Sequence, residues 1–91
     1  MFNYLYNWII GDVMKVKVYF SPFCPYCAMA RDFLKEHGIK SEEVNVQEDR
    51  AAAIEMIKKS GQNGVPVIDI DGKIIVGFDE PTLREALGIG R

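Results

Sequence analysis

VYFSPFCPYCAMARDFL, residues 18–34, carries both cysteines of the chain, with only Pro25 and Tyr26 between them. The pair sits where a β-branched and aromatic run gives way to a helical pattern. A reading of this stretch has to choose between a structural staple, half of a metal site and a reactive thiol pair. The 91 residues make one domain, near the lower end of what folds without staples. An apolar fraction of 48% with 26% charged residues is that of an ordinary globular chain. Net charge is −2 and no Lys/Arg cluster stands out, which argues against nucleic acid or an acidic membrane surface as partner. No apolar run approaches the length of a membrane span.

Working outward, KVKVYF (residues 15–20) alternates polar and apolar residues and reads as a strand. A helix is expected from Pro25 to His37, with Ala30, Phe33, Leu34 and His37 inward and Arg31, Asp32, Lys35 and Glu36 toward water. Gly38 stops it. A second strand is expected over residues 40–46, then a helix from Glu48 to Ser60 with Ile54 and Ile57 on its buried side. Acidic Glu48 and Asp49 at its start, Lys58 and Lys59 at its end and Gly61 beyond suit the helix dipole. VPVIDI (residues 65–70) reads as a third strand, and Asp71-Gly72 as a hairpin turn returning into KIIVG. Asp79 is a candidate cap for a last helix carrying Leu83, Ala86 and Leu87, ended by Gly88. The fold class is α/β: βαβ followed by ββα, a four-stranded mixed sheet flanked by three helices.

On this layout Cys24 falls at the N-cap of the first helix and Pro25 at its first position, where a missing N–H costs nothing. The free amides of that turn and the positive end of the dipole favour an anion at Cys24, and the thiolate is the reactive form. Cys27 lies one turn further in, placed to attack a mixed disulfide formed at Cys24. A zinc site needs about four ligands, and the only further soft candidate is His37, so no metal is expected. An inert buried pair is the remaining bland reading. A C-x-x-C that opens a helix directly after a strand favours redox chemistry.

CPYC after a short strand, GVPV (residues 64–67) and GFDEPTL (residues 77–83) together resemble the glutaredoxins over about residues 14–89. The resemblance implies a thioredoxin-like fold with sheet order 2-1-3-4 and dithiol–disulfide exchange, with Cys24 as nucleophile and Cys27 as resolving thiol. It also implies a substrate-binding set of Pro25, Tyr26, Val65, Pro66, Gly77, Phe78 and Asp79. Val65-Pro66 looks like the family's Val–cis-Pro, whose backbone faces the thiols and pairs with a bound peptide or glutathione. Tyr26 would flank the substrate, and Gly77, Phe78 and Asp79 would border the groove. Phe20 and Phe23 read as core or rim packing, and His37 as structural. No cofactor is expected beyond the redox-active cysteine pair.

Departures from the family's pattern bear on the electron source. Ser21 stands where glutathione-dependent members carry a Lys, Gly64 in place of a Thr, and Gly77-Phe78 in place of a glycine pair. Asp79 and Glu80 are retained. Gly-Phe followed by Pro81 is similar to redoxins that thioredoxin reductase recharges and that supply ribonucleotide reductase, although CPYC itself is more typical of glutathione-dependent members. Thioredoxin reductase is thus the expected reductant and glutathione the alternative. A rival of another class is an iron–sulfur module bridged through Cys24 of two copies. MFNYLYNWIIGDV, residues 1–13, lacks the basic start and small-residue cleavage site of a signal peptide and is expected to be a dispensable extension of a domain over residues 14–91. A single close cysteine pair is no secreted disulfide framework, so the cytoplasm is the expected location.

Overall fold

The computed structural model describes residues 15–89, so the expected boundary between residues 13 and 14 lies outside the described residues. Strands β1 (Val16–Phe20), β2 (Glu42–Asn45), β3 (Val67–Ile70) and β4 (Lys73–Val76) alternate with helices α1 (Pro25–Glu36), α2 (Arg50–Ser60) and α3 (Glu80–Leu87). The sheet order is β2-β1-β3-β4, with β1 parallel to β2 and antiparallel to β3, and β3 antiparallel to β4. This is the thioredoxin-like arrangement that the resemblance implies.

The period of two along each strand builds two cores. Val16 and Val18 of β1, Ile68 and Ile70 of β3 and Ile75 of β4 face one way, and Ala30, Phe33, Leu34 and Leu83 of α1 and α3 close over them. Tyr19 and Val67 face the other way, under Ala52 and Met56 of α2. The β3–β4 hairpin turns on Asp71 and Gly72, both in the left-handed region at φ 50° and 94°, as an Asp-Gly turn requires. Asp49 and Asp79 cap α2 and α3, their carboxylates accepting from the Ala52 and Thr82 amides.

Several expectations need correction. Ile54 and Ile57 do not face the core; both are exposed, and the inward stripe of α2 is Ala52 and Met56. The cause is polar. Tyr19, buried in β1, donates its hydroxyl to Glu55 Oε1 (2.7 Å) and accepts from Lys59 Nζ (2.8 Å). Lys17 reaches the same Glu55 oxygen at 2.9 Å, and Lys59 also pairs with Asp69 at 2.7 Å. Turning Glu55 and Lys59 toward these partners rotates Ile54 and Ile57 to the outside. The α1 helix ends at Glu36, and His37 is an exposed C-cap rather than a core residue. Its ring nitrogen Nδ1 lies 2.9 Å from the Phe33 carbonyl. Arg31 is not simply solvated: it lies over the Phe20 ring and pairs with Glu43 at 2.9 Å, tying α1 to the edge strand β2. Val65 and Pro66 precede β3 as a loop, β2 is shorter than residues 40–46, β1 and β4 each lose one residue, and α2 begins after Asp49.

Candidate active site

β1 delivers the chain to one end of the sheet, where residues 21–24 turn and α1 begins. Cys24 is the N-cap of α1 with an extended backbone (φ −110°, ψ 111°), and Pro25 takes the first position. The Cys27 amide donates to Cys24 Sγ at 3.2 Å. Capping by a sulfur replaces the oxygen of an ordinary N-cap residue, so a main-chain N–H of the first turn points at the Cys24 sulfur. Cys24 is partly exposed, while Cys27 is 1% exposed. Burial pushes the Cys27 thiol up to about 11, and its contact with Cys24 adds to the rise. A hydrogen bond from the Ser21 main chain and the nearby Arg31 charge oppose it.

The segment leading into β3 closes the other side. The Val65–Pro66 peptide is cis, as the resemblance implies. Cys24 Sγ donates to the Val65 carbonyl at 3.7 Å, and Gly77 donates its N–H to the Pro66 carbonyl at 2.8 Å. Cys24, Val65, Pro66 and Gly77 are therefore linked into one cluster, in which the Pro66 ring is fully buried.

The remaining members of the expected set stand further out. Tyr26 is 61% exposed on the first turn of α1 beside Pro25, also exposed. Phe23 is 86% exposed, which removes it from the core and leaves it on the rim. Asp79 spends its carboxylate on capping α3, with Thr82 Oγ1 2.7 Å away. Phe78 is half-buried, its ring edge-on to Phe33 at 5.9 Å in the core between α1 and α3. Packing against Phe33 accounts for the inward side of that ring. A cleft of about 780 Å³ opens at the opposite end of the sheet between Lys15, Lys40, Glu42, Asp69 and Asp71, away from the thiols.

The glutaredoxin family model matches residues 16–75, from the first residue of β1 to the third of β4. A glutaredoxin-like 8.6 kDa protein in the rubredoxin operon of Clostridium pasteurianum is 46% identical over 72 residues, covering 79% of this chain and 96% of its relative. The chain belongs to the glutaredoxin family. Glutaredoxin 3 of Escherichia coli strain K12 is 37% identical over 73 residues, covering 80% of this chain and 88% of the other. Among solved structures, the glutaredoxin of Archaeoglobus fulgidus superposes with a TM-score of 0.75 at 25% identity, covering 90% of this chain and 95% of the other.

This glutaredoxin-like redox protein brings Cys24 and Cys27 together at a helix start. No described helix is long and apolar enough to cross a membrane. Sequence reasoning passed over two features near the site. One is the Arg31 contact with Phe20 and Glu43, signalled only by Arg31 following Cys27 by four residues. The other is Gln62, which hydrogen-bonds Gly64 just before Val65. No periodic pattern marks a loop residue of that kind.

Proposed function

We propose that this protein is a thiol–disulfide oxidoreductase that reduces disulfides of proteins or small molecules through Cys24 and Cys27. The observation that carries the reading is the asymmetry of the pair. One sulfur is reachable and receives a helix-start N–H at 3.2 Å; the other is buried with its thiol pushed up to about 11. An amide aimed at Cys24 stabilises negative charge building there. The Cys24 thiolate attacks one sulfur of R–S–S–R′; the new Cys24–S–R bond forms as the old S–S bond breaks, and R′S⁻ leaves and takes a proton from water. Cys27 then loses its proton, attacks Cys24 Sγ and expels RS⁻. The products are RSH, R′SH and the Cys24–Cys27 disulfide, two electrons having passed to the substrate. Pro25, Tyr26, Val65, Pro66, Gly77, Phe78 and Asp79 are the groove in this reading, with the Val65 main chain pairing with the substrate.

A thioredoxin reductase returns the two electrons from NADPH, with glutathione a poor substitute. Charge supports this. The segments that meet at the thiol end of the sheet bring Glu48, Asp49, Asp79 and Glu80 against Arg50, with Arg84 already paired to Glu80 and Arg31 to Glu43, and Ser21 supplies no cation. Glutathione carries a net negative charge, and a site without a facing Lys loses a charge-assisted contact. Ribonucleotide reductase suits the redoxin class that the Gly77-Phe78 loop and Pro81 resemble, and the cytoplasm suits a protein that works reduced. The test is to offer the oxidised protein NADPH with thioredoxin reductase, and separately NADPH with glutathione and glutathione reductase. Faster turnover with thioredoxin reductase is expected; faster turnover with glutathione would overturn the choice of reductant. Brown, anaerobically purified protein with visible absorbance would favour the iron–sulfur module instead.

A further inference from the structure

Gly64 precedes Val65 in a backbone outside the left-handed region, so nothing about its φ calls for glycine. A Cβ at this position would lie 2.8 Å from Gln62 Oε1, the far end of a flexible side chain, so an added methyl group would displace that carboxamide. Gln62 folds its carboxamide onto Gly64 and pairs with both of its main-chain groups: Oε1 accepts from the Gly64 N–H at 2.6 Å, and Nε2 donates to the Gly64 carbonyl at 3.2 Å. The same Nε2 reaches Ser60 Oγ at 3.1 Å, and that hydroxyl contacts the carbonyls of Met56 (2.8 Å) and Gln62 (2.9 Å). The clamp is therefore anchored in the last turn of α2. It holds the residue before Val65, whose carbonyl receives the Cys24 thiol.

We propose that Gln62 is a positioning residue of the redox site, fixing where the Val65 main chain stands relative to Cys24 and to the backbone of an incoming disulfide-bearing peptide. The inference rests on Cys24 being the nucleophile. Because the clamp occupies both polar groups of Gly64, a peptide's main chain is left to pair at Val65 alone. Pro66 has no N–H, and its carbonyl is already taken by Gly77. Gln62 thereby restricts recognition to a short main-chain contact directly over the thiol. A small disulfide without a peptide backbone does not use that contact and is indifferent to the clamp.

The full-length protein and the variants Gln62→Ala, Gly64→Ala and the double substitution are assayed on two probes, a short peptide carrying a mixed disulfide and hydroxyethyl disulfide. Each single variant is expected to raise KM for the peptide by about tenfold, the worth of roughly one net hydrogen bond, with kcat little changed. Turnover of hydroxyethyl disulfide should stay within about twofold. Both substitutions break one clamp, so the double variant should be no worse than the poorer single one. Equal slowing on the two probes, an unchanged peptide KM, or losses that add would overturn the proposal. Either single variant suffices if the other fails to fold. A wild-type protein that reduces neither probe would refute the oxidoreductase reading instead.

Discussion

Iodoacetamide should distinguish the two thiols of the reduced protein by a wide margin. Only the thiolate reacts, and Cys27 is pushed up to about 11 from an ordinary 9.0. At pH 7 about one Cys27 in ten thousand is ionised, against about one in a hundred for an ordinary thiol, since each pH unit is tenfold. Its 1% exposure adds a steric barrier. Cys27 should therefore label at least about a hundredfold more slowly in the folded protein than in the same chain in urea. Its rate should climb about tenfold per pH unit until near 11. Cys24, partly exposed at its helix start, should label first. Initial rates come from quenched time courses, with each thiol followed by peptide mass spectrometry under anaerobic conditions. If Cys27 in the folded protein labels as fast as Cys24, the assignment of roles is wrong.

Three further outcomes are expected. Tyr19→Phe deletes the hydroxyl that joins Glu55 to Lys59 and should cost about 0.5–1.5 kcal/mol in urea unfolding, since both partners keep water and their ion pairs, while leaving Cys24 alkylation unchanged; an unchanged midpoint would show the network to be idle. A thiol raised in the folded state contributes stability that is fully present below its unfolded value and is lost as pH rises through the folded one. The stability of reduced wild type relative to Cys27→Ser should accordingly fall by up to roughly 1–3 kcal/mol between pH 9 and 11, and a flat difference would contradict the burial argument. A Met14–Arg91 fragment should fold, because all four strands and both cores lie within it; a random-coil circular dichroism spectrum would show that residues 1–13 complete the domain.

What the residues disclose in advance depends on whether a signal is local. Cys24 as N-cap with Pro25 behind it, the Asp71-Gly72 turn and the Asp79 and Gly88 ends of α3 each rest on backbone geometry within four residues, and all appear in the structure. The rotation of α2 is not local. It presents apolar residues on opposite sides, Ala52 and Met56 against Ile54 and Ile57, and the choice is made by Tyr19, Lys17 and Asp69 from two strands far away in sequence. His37 sits at helical spacing from Phe33 and its ring lies against the Phe33 ring at 4.4 Å, yet as the exposed C-cap it also turns a ring nitrogen to the Phe33 carbonyl. Phe78 borders Gly77 in the chain, but its ring contact with Phe33, far away in sequence, has no local signal. Gln62 left no trace, because the pairing of its carboxamide with the Gly64 main chain is a loop contact without a periodic signal.

The central claim is that Cys24 attacks and Cys27 resolves. Its most direct test is the rate at which Cys24→Ser and Cys27→Ser variants form a mixed disulfide with one peptide disulfide, read by intact mass. The predicted result is rapid, stable accumulation of the adduct on Cys27→Ser and almost none on Cys24→Ser. Equal or faster adduct formation on Cys24→Ser would contradict the account.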